Sequence, residues 1–180
     1  MAIFLITGPS GVGKTSLVKE LEFFGFWEEC ISHTTRPIRK GEVDGETYHF
    51  VSEEKFFNML ENGEFVEHVM YHNHHYGVSK KEIEKVLKRK RAVIIVDYNG
   101  YLQIKKQYPD AVGIFIWTDK NDCYNNMISR GDSALSASTR LLTYDREMLH
   151  KTIYDYVIKN VKGGYNGTLK ILMGIVSQYN

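Results

Sequence analysis

The sequence has few cysteines and no excess of charge of either sign. Its two cysteines, Cys30 and Cys123, are too few for a disulfide framework and favour a reducing, cytoplasmic setting. The 23 basic and 22 acidic residues leave a net charge of +1, so no nucleic-acid or anionic-membrane partner is expected. The apolar opening, residues 3–6, carries no basic flank and runs into Gly8 and Pro9. We therefore expect neither a signal peptide nor a membrane span.

Length and composition are those of an ordinary globular domain. The chain has 180 residues, of which 43% are hydrophobic and 25% charged, enough apolar material to bury a core without disulfides or a structural metal. We expect one domain over residues 1–180, and either a monomer or a homodimer is compatible with the sequence.

Short apolar runs alternate with amphipathic helical patterns along most of the chain. Because the runs are continuous rather than alternating, they indicate strands covered on both faces, as in a parallel sheet. The pattern predicts a doubly wound α/β fold with about five parallel strands. The predicted strands are residues 3–7, 92–96, 112–117, 156–158 and, more weakly, 30–32.

Residues 33–79 break this rhythm. They contain short alternating segments at 48–51 and 65–70 around one helical pattern near 53–61, with Ser52 available as its N-cap. The sequence therefore predicts a small inserted α+β region.

Two further signals mark the boundaries of the core. Ser79 and Glu82 have the spacing of a capping box that starts a helix. Residues 131–138 are small and polar between two helical patterns, which is typical of a mobile flap. The predicted division is a core of residues 1–32 and 80–180, an insertion of residues 33–79, and a short lid at residues 126–140.

Residues 8–15 read G-P-S-G-V-G-K-T between an apolar strand and an amphipathic helix. Glycines at these positions let consecutive backbone N–H groups surround a phosphate at a helix N-terminus. Lys14 can reach the β- and γ-phosphates, and the Thr15 hydroxyl can bind Mg²⁺. The alternative is a glycine-rich turn that binds nothing. The residues predicted to bind ATP are Gly8, Pro9, Ser10, Gly11, Val12, Gly13, Lys14, Thr15 and Ser16.

Polar residues elsewhere suggest a second substrate. Asp97 ends an apolar strand, where it could serve the phosphates or simply cap the next helix. Arg36 and Arg39 flank a proline, and arginine can hold a phosphate through two hydrogen bonds. With Tyr48, Glu67 and Tyr76 they form either an acceptor site or an ordinary polar surface.

A resemblance decides between these interpretations. S-x-T-T-R-x-x-R (residues 32–39), G-E-V-x-G-x-x-Y-x-F (41–50), E-F-V-E (64–67), Y-G (76–77) and D-x-x-G (97–100) follow the glycine-rich loop in order. With this order, residues 3–161 resemble the guanylate kinase family.

The resemblance implies a P-loop NTPase-type fold and the reaction ATP + GMP (or dGMP) → ADP + GDP, with Mg²⁺ held by Thr15. It implies that the acceptor phosphate is bound by Arg36, Arg39, Tyr48 and Tyr76. It also implies that Glu67 binds the guanine donors, that Ser32 touches the base, and that Asp97 serves the acceptor site. The residues that it implies for catalysis are Lys14, Arg36, Asp97, Arg130 and Arg140.

Three positions depart from the family's pattern. Val78 stands where a hydroxyl residue is usual, Asn126 stands where a lid arginine is usual, and Ile95 stands where many members have an aspartate. The first could loosen selectivity for guanine, and the second removes one cation from the transferring phosphoryl group. A catalytically silent interaction module and a P-loop kinase for another acceptor, such as a sugar phosphate, remain the alternatives.

Two other clusters are interpreted as surface features. The clustered histidines lack a cysteine or acidic ligand to complete a tetrahedral metal site; they are His68, His72, His74 and His75. The basic run at residues 85–91 suits a helix C-terminus, where cations are favourable.

Overall fold

The computed structural model describes residues 2–39, 41–71 and 73–179. The strands are β1 (Ile3–Thr7), β2 (Glu28–Glu29), β3 (His33–Thr34), β4 (His49–Phe50), β5 (Phe65–Tyr71), β6 (His74–Ser79), β7 (Ala92–Ile95), β8 (Val112–Trp117) and β9 (Tyr156–Lys159). The α-helices are α1 (Lys14–Phe23), α2 (Glu53–Glu61), α3 (Lys80–Leu87), α4 (Tyr98–Gln107), α5 (Lys120–Ser129), α6 (Ala134–Leu141), α7 (Tyr144–Leu149) and α8 (Tyr165–Val176).

The main layer is a five-stranded parallel sheet in the order β2-β7-β1-β8-β9. Successive side chains of the central strand β1 enter opposite cores: Phe4 and Ile6 pack on one face, and Ile3 and Leu5 on the other. This two-sided burial explains why the strand is continuously apolar.

Helices cover both faces of this sheet. Buried residues of α1, α5 and α8 share one hydrophobic core, and those of α3 and α4 share the other. The predicted doubly wound α/β fold is confirmed. None of the helices in the described part of the chain is long and apolar enough to cross a membrane.

A second, four-stranded sheet in the order β4-β3-β6-β5 lies within residues 33–79. Helix α2 packs a small core of its own against it, in which Phe56 stacks on Phe65 with ring centroids 4.5 Å apart. The Ser52 side chain accepts a hydrogen bond from the Lys55 N–H at 3.2 Å, so the predicted N-cap is confirmed.

Several boundaries differ from the prediction. The weak strand expected at residues 30–32 is wrong, because the pairing with β7 involves Glu28 and Glu29. Residues 134–138 are not a loop: Ser133 caps helix α6 by accepting from the Ser136 N–H at 3.2 Å. That helix buries Ala137 and Leu141, and this burial outweighs the polar composition of the segment.

The first of the two hydrogen bonds expected of the capping box is present at the start of α3. Ser79 Oγ accepts from the Glu82 N–H at 3.2 Å. The buried Glu82 carboxylate instead accepts hydrogen bonds from Lys85 Nζ and, at 3.4 Å, from the Ile31 N–H. Glu82 therefore connects α3 to the chain that enters the second sheet.

The glycine-rich loop between β1 and α1 packs closely against its surroundings. Gly8 has φ +131°, and a Cβ atom there would lie 1.9 Å from the Ile116 carbonyl oxygen. Gly11 has φ +84°, and its Cβ would lie 2.4 Å from the Cys123 carbonyl oxygen. Because both contacts are with backbone, the neighbours cannot move aside as a flexible side chain would.

We predict that Gly8→Ala destabilises the fold much more than Gly25→Ala. Gly25 also has a positive φ, +76°, but its Cβ would meet nothing within 4 Å, so only the backbone strain of about 1–3 kcal/mol applies. Gly8→Ala adds the collision with the Ile116 carbonyl. Urea unfolding of both variants measures the difference, and equal losses would show that the loop relaxes freely.

Candidate active site

Lys14 occupies the first turn of α1 and folds back over the glycine-rich loop. Its Nζ donates hydrogen bonds to the carbonyl oxygens of Gly8 at 2.5 Å and Pro9 at 2.9 Å. Burial lowers the pKa of the Lys14 ammonium to about 8. The loop thus concentrates a desolvated cation at a helix N-terminus, where an anion is favoured.

Two side-chain amides hold carbonyl groups of this loop. Asn126 Nδ2 on α5 donates to the Gly11 carbonyl at 2.8 Å. Asn160 Nδ2, directly after β9, donates to the Val12 carbonyl at 2.9 Å, while its Oδ1 accepts from Thr168 Oγ1 at 3.0 Å. Sequence reasoning missed Asn160, although its position after an apolar strand is a signal of the kind that drew attention to Asp97.

A cavity of about 670 Å³ lies between the second sheet, the end of β7 and the segment around α6. It brings together all seven residues predicted for the acceptor site, together with Arg140. Its lining also includes Glu42, Ile95, Asp132 and Ser136, which the sequence did not nominate for this role. The seven predicted residues are Ser32, Arg36, Arg39, Tyr48, Glu67, Tyr76 and Asp97.

Arg36 is buried in the wall of this cavity by an internal ion pair. Its Nη1 and Nη2 donate to the Glu42 carboxylate at 3.0 and 2.6 Å, and its guanidinium lies 5.5 Å from the centre of the Tyr48 ring. Glu42 also accepts from the Arg39 N–H at 2.8 Å. Glu42 therefore fixes the Arg36 guanidinium and the Arg39 backbone, while the Arg39 side chain is exposed and can meet a ligand.

Glu67 supplies a buried carboxylate to the same cavity. The residue is 6% exposed, and its Oε1 accepts from the Val78 N–H at 3.1 Å. Burial, with a smaller effect of the nearby Asp97 charge, raises the pKa of the Glu67 carboxyl to about 7. A buried carboxylate of this kind is suited to a ligand edge that offers hydrogen-bond donors.

Two glutamines of α4 bracket Glu67. Gln103 accepts from the His68 N–H at 3.1 Å and donates to the His68 carbonyl at 3.2 Å. Gln107 donates to the Val66 carbonyl at 2.7 Å. These bonds hold β5 on either side of Glu67 against the helix. Their i, i+4 spacing on α4 was the available sequence signal.

Asp97 both caps the helix that follows it and lines the larger cavity. Its Oδ1 accepts from the Gly100 N–H at 2.8 Å, so it caps α4. It also lines the acceptor cavity. Because β7 lies next to β1 in the sheet, this carboxylate belongs to the same sheet edge as the glycine-rich loop.

A second cavity, of about 340 Å³, lies directly against the loop. Its walls come from the loop, from α5 and from the segment that joins β9 to α8. Of the predicted residues it contains Gly11, Gly13, Ser16 and Arg130, and it adds Asp122, Lys162 and Tyr165. Ser16 and the neighbouring Thr15 are exposed in the first turn of α1, whereas Val12 is fully buried.

The glycine-rich loop and these two cavities can now be set beside known proteins. The model of the guanylate kinase family matches residues 1–179. The chain belongs to the guanylate kinase family. It is 41% identical over 162 residues to a guanylate kinase of Legionella pneumophila, covering 88% of this chain and 78% of that protein.

Other relatives agree. A guanylate kinase of Helicobacter pylori is also 41% identical over 162 residues, covering 88% of this chain and 79% of that protein. The crystal structure of a guanylate kinase from Anaplasma phagocytophilum superposes with a TM-score of 0.75 at 27% identity, covering 98% of this chain and 85% of that one. The P-loop NTPase-type fold follows from this membership.

The three departures from the guanylate kinase pattern have distinct places. Val78 is fully buried in a hydrophobic core and serves Glu67 only through its backbone N–H. Ile95 lines the larger cavity. Asn126 supports the glycine-rich loop.

The described residues of the two discounted clusters do not line either cavity. His75 packs on Phe57 with ring centroids 4.9 Å apart, and His72 lies outside the described residues. Within residues 2–39, 41–71 and 73–179, no group of three or more His, Cys, Asp or Glu residues could hold a metal ion. In the basic run, Arg89 pairs with Glu28 and Arg91 donates to the Tyr179 carbonyl.

We predict that Lys14→Met stabilises the fold at pH 7, by about 1–3 kcal/mol, since it removes a desolvated charge. The folded-state pKa of about 8 lies below the ordinary value of 10.5, so Lys14 opposes folding most strongly below pH 8. The free energy of unfolding of the wild-type protein should rise as the pH rises towards 10.5, so the difference in stability between the two proteins should shrink. Urea unfolding from pH 7 to pH 10 measures this, and a less stable Lys14→Met would contradict it.

Proposed function

We propose that this protein transfers the γ-phosphoryl group of ATP to GMP, or to dGMP, giving ADP and the guanosine diphosphate. The observation that carries the proposal is the pairing of two features at one sheet edge. One is the glycine-rich loop with Lys14, and the other is a cavity lined by the buried Glu67 carboxylate and by Arg36 and Arg39. Residues 33–79 would serve as the acceptor-binding region and residues 126–140 as the lid.

Glu67 would select the base. Guanine presents two donors, N1–H and the exocyclic amine, on the edge where adenine presents an acceptor at N1. The ionised Glu67 carboxylate can accept both hydrogen bonds, and a bidentate contact of this kind discriminates by about 1–3 kcal/mol. Ser32, which lines the same cavity, would complete the contact with the base.

The acceptor phosphate would lie against the two arginines of the same cavity. Arg39 and the remaining donors of Arg36 would bind its oxygens, and the hydroxyl groups of Tyr48 and Tyr76 would add two further hydrogen bonds. The two tyrosine rings lie 5.9 Å apart next to the Arg36 guanidinium. Because Glu42 holds Arg36 in place, this wall is organised for a phosphate before one binds.

On the donor side, the backbone N–H groups of the loop and Lys14 would hold the phosphates of ATP. The smaller cavity would take its nucleoside part. Arg130 lines that cavity and Arg140 lines the larger one, so their segment bridges donor and acceptor. Transfer of this kind depends on in-line placement and charge neutralisation rather than on covalent chemistry by the protein.

A Mg²⁺ ion would fit at the carboxyl edge of the main sheet, beside the glycine-rich loop. The Thr15 side chain is exposed in the first turn of α1 and Asp97 follows the neighbouring strand, and hydroxyl, carboxylate and phosphate oxygens are the ligands that Mg²⁺ prefers. Thr15 would bind the ion together with phosphates and waters. When bound, the ion supplies neutralisation of phosphate charge.

A coupled assay of ADP release tests the proposal. ATP-Mg²⁺ is offered with GMP, dGMP, AMP, CMP, UMP and dTMP, and strong turnover with GMP or dGMP and little with AMP is expected. Turnover only with another phosphate acceptor would replace the proposal by a different P-loop kinase. Silence with every acceptor, together with poor ATP binding, would indicate an interaction module.

We predict that Glu67→Gln lowers kcat/KM for GMP by about 5- to 150-fold, the equivalent of about 1–3 kcal/mol. In the wild-type protein kcat/KM for GMP should rise with pH through about 7, because the Glu67 carboxyl, whose pKa burial raises to about 7, must lose its proton to accept both bonds.

In the Glu67→Gln variant, kcat/KM for GMP should no longer rise near pH 7. It should keep only the rise near pH 6 that accompanies ionisation of the GMP phosphate. Glu64→Gln, at an exposed carboxylate three residues earlier, is the matched control and should keep the wild-type profile. An unchanged pH profile in Glu67→Gln would show that another group controls acceptor binding.

A further inference from the structure

One carboxylate oxygen joins two guanidinium groups in the segment between α5 and α6. Asp132 Oδ2 accepts from Arg130 Nε at 2.9 Å and from Arg130 Nη2 at 2.6 Å. The same oxygen accepts from Arg140 Nη1 at 3.4 Å. Sequence reasoning nominated both arginines but not the aspartate between them.

The backbone fixes Asp132 beside Arg130. Gly131, with φ +98°, follows the last turn of α5, and its N–H donates to the Ile128 carbonyl at 2.9 Å. The Asp132 N–H donates to the Met127 carbonyl at 3.0 Å. This pair of bonds is a Schellman motif, and it turns the chain so that the carboxylate comes back to the guanidinium two residues earlier.

The second arginine comes from the next helix. Ser133 caps α6 immediately after Asp132, and Arg140 lies in the last turn of that helix. In the described part of the chain, Arg140 Nε is a buried donor without a hydrogen-bond partner. Its contact with Asp132 is therefore the ion pair that orients this guanidinium.

The arrangement has a clear electrostatic reason. Two guanidinium groups that converge on a phosphoryl group repel each other, and a carboxylate between them offsets that repulsion. Asp132 and Arg140 line the larger cavity, while Arg130 lines the smaller one. The shared carboxylate thus lies where the two cavities approach each other.

We propose that Asp132 is a positioning residue that holds Arg130 and Arg140 together for the transferring phosphoryl group. The inference rests on the proposed phosphoryl transfer from ATP to GMP. Asp132 acts through the two cations: it sets their directions, and they act on the charge that develops during transfer.

Asp132→Asn keeps the shape of the side chain and removes its charge. We expect kcat to fall by up to about 100-fold, as small misplacement of catalytic groups does, while KM for ATP and GMP changes little. Asp132→Glu, which restores the charge one methylene further out, should recover part of kcat. If Asp132 acts through Arg130, Asp132→Asn should cost much less in an Arg130→Ala background than in the wild type.

The matched control is Asp145→Asn, which removes an exposed carboxylate that pairs with Lys120 at 2.7 Å on the nearby α7, and it should keep wild-type kcat. Thermal unfolding checks that the Asp132 variants remain folded. A second readout is the exchange rate of the Arg130 Nε–H by NMR, which should rise in Asp132→Asn when its acceptor loses charge.

The outcomes separate the two claims. If the wild-type protein does not phosphorylate GMP or dGMP, the proposed function fails. If it does and Asp132→Asn keeps or exceeds wild-type kcat, the positioning role is wrong and the carboxylate instead competes with phosphate. Additive losses in the double variant, or an unchanged Arg130 Nε–H exchange rate, would overturn it as well.

Discussion

The close packing of the glycine-rich loop against β8 and α5 is the constraint on which the rest of the site depends. Backbone carbonyls of Ile116 and Cys123 occupy the space that side chains at Gly8 and Gly11 would need. The loop must therefore follow one path, and amide side chains on α5 and after β9 hold its carbonyl groups. Backbone contacts and the two hydrophobic cores fix the path of the loop. The first turn of α1 therefore has a fixed direction, and Lys14 has a fixed position on it.

The pairing of cationic side chains with acceptors inside the protein is the second feature on which the site depends. Three of the cations that the proposal assigns to phosphate already have acceptors within the protein: Lys14 on loop carbonyls, Arg36 on Glu42, and Arg130 on Asp132. A group held in this way needs little reorganisation when a phosphate takes over its hydrogen bonds. Preorganisation of this kind is where electrostatic catalysis gains most of its effect.

The sequence predicted those features that have a local signature. Apolar runs predicted the long strands of the main sheet, and the glycines of residues 8–15 predicted the tight loop between β1 and α1. The two-residue strand β3 could not be predicted, since its partners Tyr76 and Gly77 on β6 are distant in the sequence and meet it only in the folded chain. Strand β6 pairs with its neighbour β5, but its polar sequence lacks the apolar alternation that marks a strand. Glu42 and Asp132 were missed for a related reason: surface carboxylates are common, and only the folded chain shows which of them meets an arginine.

The departures from the family pattern gain meaning from this arrangement. Asn126 supports the loop, so in the proposed function the lid would contribute its charge through Arg130 and Arg140, and their orientation would matter more. Val78 has no hydroxyl to offer a base, and it assists Glu67 only by a backbone N–H that favours the ionised carboxylate. In the proposed function, recognition of guanine would depend chiefly on one carboxylate whose pKa burial raises to about 7. Base selectivity would then be coupled to protonation, because a protonated Glu67 can accept only one of the two guanine donors well.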